Sequence, residues 1–443
     1  MKQLKTISFI VFLLTNIFLS AQQNTSAVAV PKLPVPQVQN PIVNTQIVPN
    51  SSLPNQNPHT PFDQRRQHQL IMEEVRQYEQ YRQEAEKQQY IDQLLTQGFP
   101  SMSAMQGTQS FYDAYNEINS MLKGETSLDL ARTVFLVENA FYNNTMNYSD
   151  FKKAIKERID FCNQKITEEK LDPNNNLVKN MMLFRLVCDT LEITPRGSER
   201  PLTSYPIKYD YEDYKSEQHY DSHFVPKLMR TGEGQCHSMP LYYLVLAEEI
   251  GAEAYWAFSP RHSFVKIQDE RGAWYNLELT NAHIMSDAHY MNNSYIKAEV
   301  IRNRIYMEPL DKKQIISELL VDLARGYYQK FGYDDFTLQC AETASQHLNS
   351  PLNALIYKAG YQTQLTLALG HLLGAKNPET LKARSPEAYK HYQKMHELYR
   401  QIDETGYEEL PIPLYERWLQ YIADEKQKAE KEKTIPIHGT PIK

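Results

Sequence analysis

Between residues 232 and 282 the spacing of apolar residues switches from helical to alternating within a few positions. This switch constrains the fold more than any other feature of the chain. The stretch reads GEGQCHSMPLYYLVLAEEIGAEAYWAFSPRHSFVKIQDERGAWYNLELTNA. Gly232 and Gly234 precede Cys236, and a helix is predicted over residues 238–250. Pro240 falls in its first turn, where a missing N–H costs nothing, and Gly251 stands just past its end, where glycine is favoured. Three strands are predicted next, over residues 252–258, 262–268 and 273–280. Asp269 to Gly272 join the last two as a hairpin turn ending in glycine.

Strand faces alternate with period two, so the pairing can be tested on paper. In the second strand Val265 and Ile267 share one face, and His262 and Phe264 the other. In the third, Tyr275, Leu277 and Leu279 oppose Trp274, Asn276, Glu278 and Thr280. Joining the aliphatic faces sets Val265 beside Leu277 and forces His262 and Glu278 onto the same opposite face, within cross-strand reach. Cys236 at a helix start meets N–H groups and a dipole that favour a thiolate, and the same N–H groups suit an oxyanion. Singly, a cysteine, a strand-edge histidine and a glutamate have ordinary structural roles. Together they have the arrangement of a nucleophile, a base and an acid that orients the base.

This stretch resembles the transglutaminase-like superfamily, which shares the papain-related cysteine hydrolase fold. The resemblance rests on Gly234-Gln235-Cys236, Ile250-Gly251, His262-Ser263-Phe264-Val265 and the run from Trp274 through Glu278 to Thr280. It implies an α+β fold whose core is a Cys-bearing helix packed on an antiparallel sheet, with Cys236 as nucleophile, His262 as base and Glu278 as orienting acid. The family's usual third residue is Asp, and many members have Ala where this chain has Ser263. Gln235, Tyr214, Tyr220 and Trp274 are the candidates for a second oxyanion donor or for lining the groove. The reaction implied is acyl transfer, with hydrolysis of an amide or peptide bond ahead of transamidation and no cofactor needed. The alternative is a binding or scaffold protein of the cell envelope that keeps the fold without catalysis.

Around this motif the texture varies. Residues 1–21 have Lys2 and Lys5, a short apolar run and small residues at the end, and read as a secretory signal peptide. The protein is therefore expected to be exported, periplasmic or secreted. Loss of Lys2 and Lys5 would deepen the formal charge from -7 to -9. That acidic balance disfavours nucleic acid as a partner and points to a protein or peptide substrate. Residues 22–62 hold eight Pro and no Gly, and read as a disordered linker. Residues 63–97 read as a polar helix, and 105–305 as the transglutaminase-like domain with a helical lead-in over 128–141, 149–169 and 176–192. No later stretch is apolar enough to cross a bilayer.

From 306 to 430 an all-α domain is expected. Leu320, Leu323, Ala324, Tyr327, Gly332, Tyr333, Ala341, Ala344 and Pro351 resemble a tetratricopeptide repeat, which implies a surface for a protein partner. Residues 431–443 read as a disordered tail. Four cysteines in an exported chain admit a disulfide, and Cys162 with Cys188 is the pair considered. His219 with His223, and His283 with Asp287 and His289, have metal-like spacings. Their segments look irregular, and the default is solvated loop residues with no metal.

Overall fold

The computed structural model describes residues 61–408 except 196, 198, 199, 214, 215, 217, 294 and 295, with scattered positions between 413 and 428. The expected signal peptide at residues 1–21, most of the Pro-rich stretch, Tyr214 and the expected tail at 431–443 lie outside the described residues. The chain divides into two compact units, one ending at Gln93 and one beginning at Leu94. In the first, helix α1 (Pro61–Thr96) is exposed from residue 65 to residue 89. Its charged side chains pair with their own helix, as in Glu73 with Arg76 and Arg82 with Glu86. Such exposed pairs contribute only a few tenths of a kcal/mol each.

The second unit is mixed α+β and mostly helical. Helices α2 (Gln109–Leu122), α3 (Leu130–Phe141), α4 (Tyr148–Glu168) and α5 (Asn176–Cys188) form the lead-in. Side chains start three of them: Asp129 accepts from the N–H of Arg132 at 2.7 Å, Asn147 from Ser149 and Asn175 from Val178. Short strands β1 (Leu191–Ile193), β2 (Leu202–Ser204) and β3 (Lys208–Tyr209) follow. A 3-10 turn (Tyr220–His223), helix α6 (Val225–Thr231) and strand β4 (Glu233–Gly234) lead to α7 (Ser238–Ile250).

Helix α7 is the centre of this unit. Every residue from Ser238 to Ala247 is buried, because α3, α4, α5 and α6 cover it on one side and the sheet on the other. A helix apolar all round is stable only in such a place. Gly251 caps it at φ 68° in the left-handed region, as expected. Glu248, near its end, accepts from the N–H groups of Leu130 and Ala131 at 3.0 Å and pairs with Lys312 at 2.7 Å. One carboxylate thus compensates the positive end of α3 and ties two other helices to α7.

The sheet has the order β5 (Tyr255–Ser259), β6 (His262–Gln268), β7 (Trp274–Glu278), β8 (His283–Met285), antiparallel throughout. Val265 stands opposite Leu277, the register expected from the alternation. The loop of Glu270, Arg271 and Gly272 closes through Gly272 at φ 81°, with the N–H of Asp269 donating to the carbonyl of Ala273. The sequence did not signal β8, a strand of three residues with two exposed positions. The first strand also begins three residues later than expected, at Tyr255.

Helices α8 (Asp287–Asn293) and α9 (Ala298–Arg302) precede α10 (Lys312–Phe331), α11 (Asp335–Ser345), α12 (Leu352–Leu372), α13 (Pro378–Arg384) and α14 (Pro386–Glu404). The first of these, α10, packs on α2 and α3 as well as on α11. One hydrophobic core therefore runs from Phe111 through α7 and the sheet to Ala354. The helices from α10 onward are 20, 11, 21, 7 and 19 residues long, so no even two-helix period is visible. All four cysteines are free, Cys162 and Cys188 included.

Two glycines set the approach to Cys236 for different reasons. Gly232 has φ 70° with open space around its Cα, so only backbone conformation demands glycine there. A Cβ on Gly234 would lie 2.5 Å from Leu228 Cδ1 and 2.9 Å from Met239 Cγ. Gly234→Ala is expected to cost about 1–3 kcal/mol by overpacking, and Gly232→Ala about 1 kcal/mol by strain alone. Chemical unfolding of the two variants, with Cys236 accessibility read in parallel, checks this; only Gly234→Ala is expected to disturb the cysteine.

Candidate functional site

Strand pairing delivers the site. The parallel pair of β3 and β4 sets Tyr209 beside Gly234, and the N–H of Asp210 donates to the carbonyl of Gly234 at 2.8 Å. The turn that follows holds Cys236 at the mouth of α7. It is closed by Ser238 Oγ, which accepts from the N–H of Gln235 at 3.0 Å, and by the N–H of Met239 donating to the carbonyl of Gln235. The N–H of Cys236 is hydrogen-bonded to no described residue.

A two-residue turn, Pro260 and Arg261, pairs Ser259 with His262, so His262 opens β6 at the end of the sheet nearest that cysteine. The imidazole is close enough to the Cys236 side chain for that side chain to help raise its pKa. On its other side, Nε2 of His262 lies 2.6 Å from Oε2 of Glu278. Cys236, His262 and Glu278 therefore lie in sequence at one site, with Glu278 hydrogen-bonded to His262 across the strands as the register requires.

Glu278 is buried and fully engaged. Oε1 accepts from the N–H and hydroxyl of Thr280 at 3.1 and 2.6 Å, and Oε2 from the hydroxyl of Tyr290 at 2.6 Å as well as from His262. Tyr290 comes from α8 and stacks on Phe264 with ring centroids 4.1 Å apart. The sequence did not expose this role, because Tyr290 lies beyond β8 with no spacing that relates it to Glu278. Ser263 has a function of its own: its hydroxyl donates to the carbonyl of Cys236 at 2.6 Å. That bond pins the cysteine turn to β6.

The other candidates divide. Gln235 is buried, and its amide is spent on the loop upstream, donating to the carbonyl of Asp213 and accepting from Ser216. The expected oxyanion role is corrected to that of a loop anchor. Trp274 sits four residues along β7 from Glu278, about 13 Å at the rise of a strand. It is 38% exposed and packs on Tyr255 and under Lys266, so it does not line the cysteine site. Tyr220 lies half-buried between Phe141, Phe224 and His223, and Tyr214 is outside the described residues. Tyr209, one of the tyrosines upstream of Cys236, does reach the site; burial, with the charges of Cys236 and Tyr211, pushes its phenol well up.

No group of three described metal-ligating side chains is close enough to hold an ion. Asp287 is instead bonded to Lys266 and Asn276, and His223 is buried against His237. Two surface concavities of about 560 and 470 Å³ are lined by residues such as Arg132, Tyr148 and Asn143. Neither is lined by Cys236, His262 or Glu278.

Comparison of this chain with protein-family models, with curated proteins and with solved structures finds no match.

The linked pair has a defined pH signature. Burial by itself would lower the pKa of His262, but Glu278 and Cys236 outweigh it and hold the imidazole well above 6.5. Burial raises Glu278, yet His262, Thr280 and Tyr290 outweigh it and bring the carboxyl from 4.5 down to about 2. A raised base stabilises the fold below its unfolded pKa and loses that contribution as pH rises through the folded one. A depressed acid contributes above its unfolded pKa and loses the contribution as pH falls through the folded value. Both are complete only between about pH 4.5 and 6.5. Glu278→Gln is expected to destabilise most in that window, on the order of 3 kcal/mol, and less toward pH 2 or strong alkali. Urea unfolding over a pH series measures it; a difference that stays flat with pH would contradict the linkage.

Proposed function

We propose that this protein is a divergent transglutaminase-like cysteine enzyme that hydrolyses an amide or peptide bond. The observation that carries the reading is the hydrogen bond of His262 to Glu278, with His262 in interaction range of Cys236 at the mouth of a buried helix. A Cys-bearing helix packed on an antiparallel sheet supports the same reading. So does the leading stretch at residues 1–21, which we read as an export signal.

In this reading the Cys236 proton already resides on His262, and the sulfur attacks the carbonyl carbon as the anion of that ion pair. The N–H of Cys236 and the free N–H groups at the start of α7 face the developing oxyanion. The C–N bond breaks, and His262 returns the proton to the departing amine, leaving a thioester. Water then attacks the thioester, His262 takes its proton, and the carboxylic acid leaves as the thiol reforms. Throughout, Glu278 holds the ring in one orientation and stabilises the imidazolium. The helices from residue 306 onward, which resemble tetratricopeptide units in sequence, supply the surface for a protein partner.

Thiol reactivity separates an enzyme from a scaffold that keeps the fold. Cys236 is expected to react with iodoacetamide at pH 6, where an ordinary thiol near 8.5 is almost wholly protonated. Peptide mapping by mass spectrometry locates the label. His262→Ala is expected to slow labelling at pH 6 by about a hundredfold, because the imidazolium that favours the reactive sulfur anion is removed. An inert Cys236, or a rate indifferent to His262, would count for the scaffold.

A further inference from the structure

The nucleophile has a charged neighbourhood that the acyl-transfer reading does not use. Helix α10 runs past the Cys236 turn and presents Glu318, Asp322 and Arg325 at successive turns of one face. Glu318 bonds Asn353 at 3.0 Å, and burial pushes its carboxyl up to about 7. Asp322 is occupied as well, its Oδ2 lying 3.3 Å from Nε2 of His237, the residue next to Cys236.

Arg325 is different. Its guanidinium lies over the ring of Tyr220, 5.7 Å from the centroid, and close enough to Cys236, Asp322 and Tyr357 for their charges to interact. Yet it has no ion pair or side-chain hydrogen bond among the described residues. The hydroxyls of Tyr220 and Tyr357 likewise make no hydrogen bond to a described residue, and all three side chains are half-buried. The contacts close on themselves: Tyr220 packs on His223, His223 on His237, and His237 follows Cys236. A guanidinium carries a permanent charge and five donors. Leaving them unused in a half-buried place is costly unless an acceptor arrives. The shape that fits a guanidinium fork is a planar carboxylate, bound through two parallel hydrogen bonds.

We propose that Arg325, lying over the ring of Tyr220, is the carboxylate-binding residue of the Cys236 site, so that the acyl substrate carries a carboxylate beside the bond under attack. The inference rests on Cys236 being the nucleophile. It also reconciles an acidic protein with an anionic substrate group, because one local cation suffices for a single carboxylate while the overall charge still repels polyanions.

The test compares alkylation of Cys236 by iodoacetate with its neutral counterpart iodoacetamide, in the full-length protein, with glutathione as the unbiased reference. Wild type is expected to favour iodoacetate by about tenfold over the glutathione ratio, the scale of one charge-assisted bond. Arg325→Met is expected to erase that preference, and Arg325→Lys to keep part of it, which covers the case of a Met variant that fails to fold. Two peptides distinguish the source of the carboxylate. Protection of Cys236 by acetyl-Ala-Ala with a free C-terminus assigns the main-chain carboxylate; protection by acetyl-Ala-Glu-amide assigns an acidic side chain. Acetyl-Ala-Ala-amide is expected not to protect. A wild-type ratio equal to that of glutathione, a preference that survives Arg325→Met, or equal protection by the neutral peptide overturns the proposal while leaving the nucleophile intact. Failure of iodoacetamide itself to label Cys236 overturns both readings.

Discussion

A slip of one residue between β6 and β7 would turn Val265, Ile267 and Leu277 out of the core and carry His262 away from Glu278. The site therefore depends on a register, and the register on apolar burial. All three aliphatic side chains are fully buried against α7 and its neighbours. At about 25 cal/mol per Å² of apolar surface, each contributes a few kcal/mol that a slipped pairing would forfeit. The hairpin loop adds its own constraint, since Gly272 adopts a positive φ that only one loop length accommodates easily.

That register brings a carboxylate and an imidazole together where water is scarce, and burying two charges is costly. The structure offsets the cost with hydrogen bonds. Glu278 accepts from Thr280 twice, from Tyr290 and from His262, so its lone-pair sites are filled. Tyr290 is fixed in turn by stacking on Phe264. The cysteine side is restrained by Ser263, whose hydroxyl holds the Cys236 carbonyl, and by the Gly234 contact with Leu228. Cys236, His262 and Glu278 are thus each fastened to a different element and meet at one end of the sheet.

Much of this was legible beforehand. Helix α7 begins and ends where Pro240 and Gly251 said it would, because caps are local and depend on a few neighbouring residues. The β6–β7 pairing followed from alternation and one turn. Other parts were hidden for physical reasons. Strand β8 is short and half-exposed, so it carries little pattern. Gln235 looked available beside the cysteine, but the conformation of the 213–216 loop decides where its amide goes. Trp274 shares a strand face with Glu278, and parity alone cannot distinguish a near neighbour from one several residues away along the strand.

The sequence by itself determined which faces are apolar, where the turns fall, and hence that a cysteine, a histidine and a glutamate converge at the end of one hairpin. These are consequences of short-range periodicity and steric preference, readable over a few residues. Only the tertiary structure decided what surrounds that convergence. Tyr290, Tyr209, Arg325 and Tyr357 come from segments up to about 150 residues apart along the chain. Their approach depends on how helices and strands pack in three dimensions, and no local pattern records it. The same packing joins α10 to the core of the cysteine unit and sets a guanidinium, with no ion pair among the described residues, over Tyr220 and within electrostatic range of Cys236.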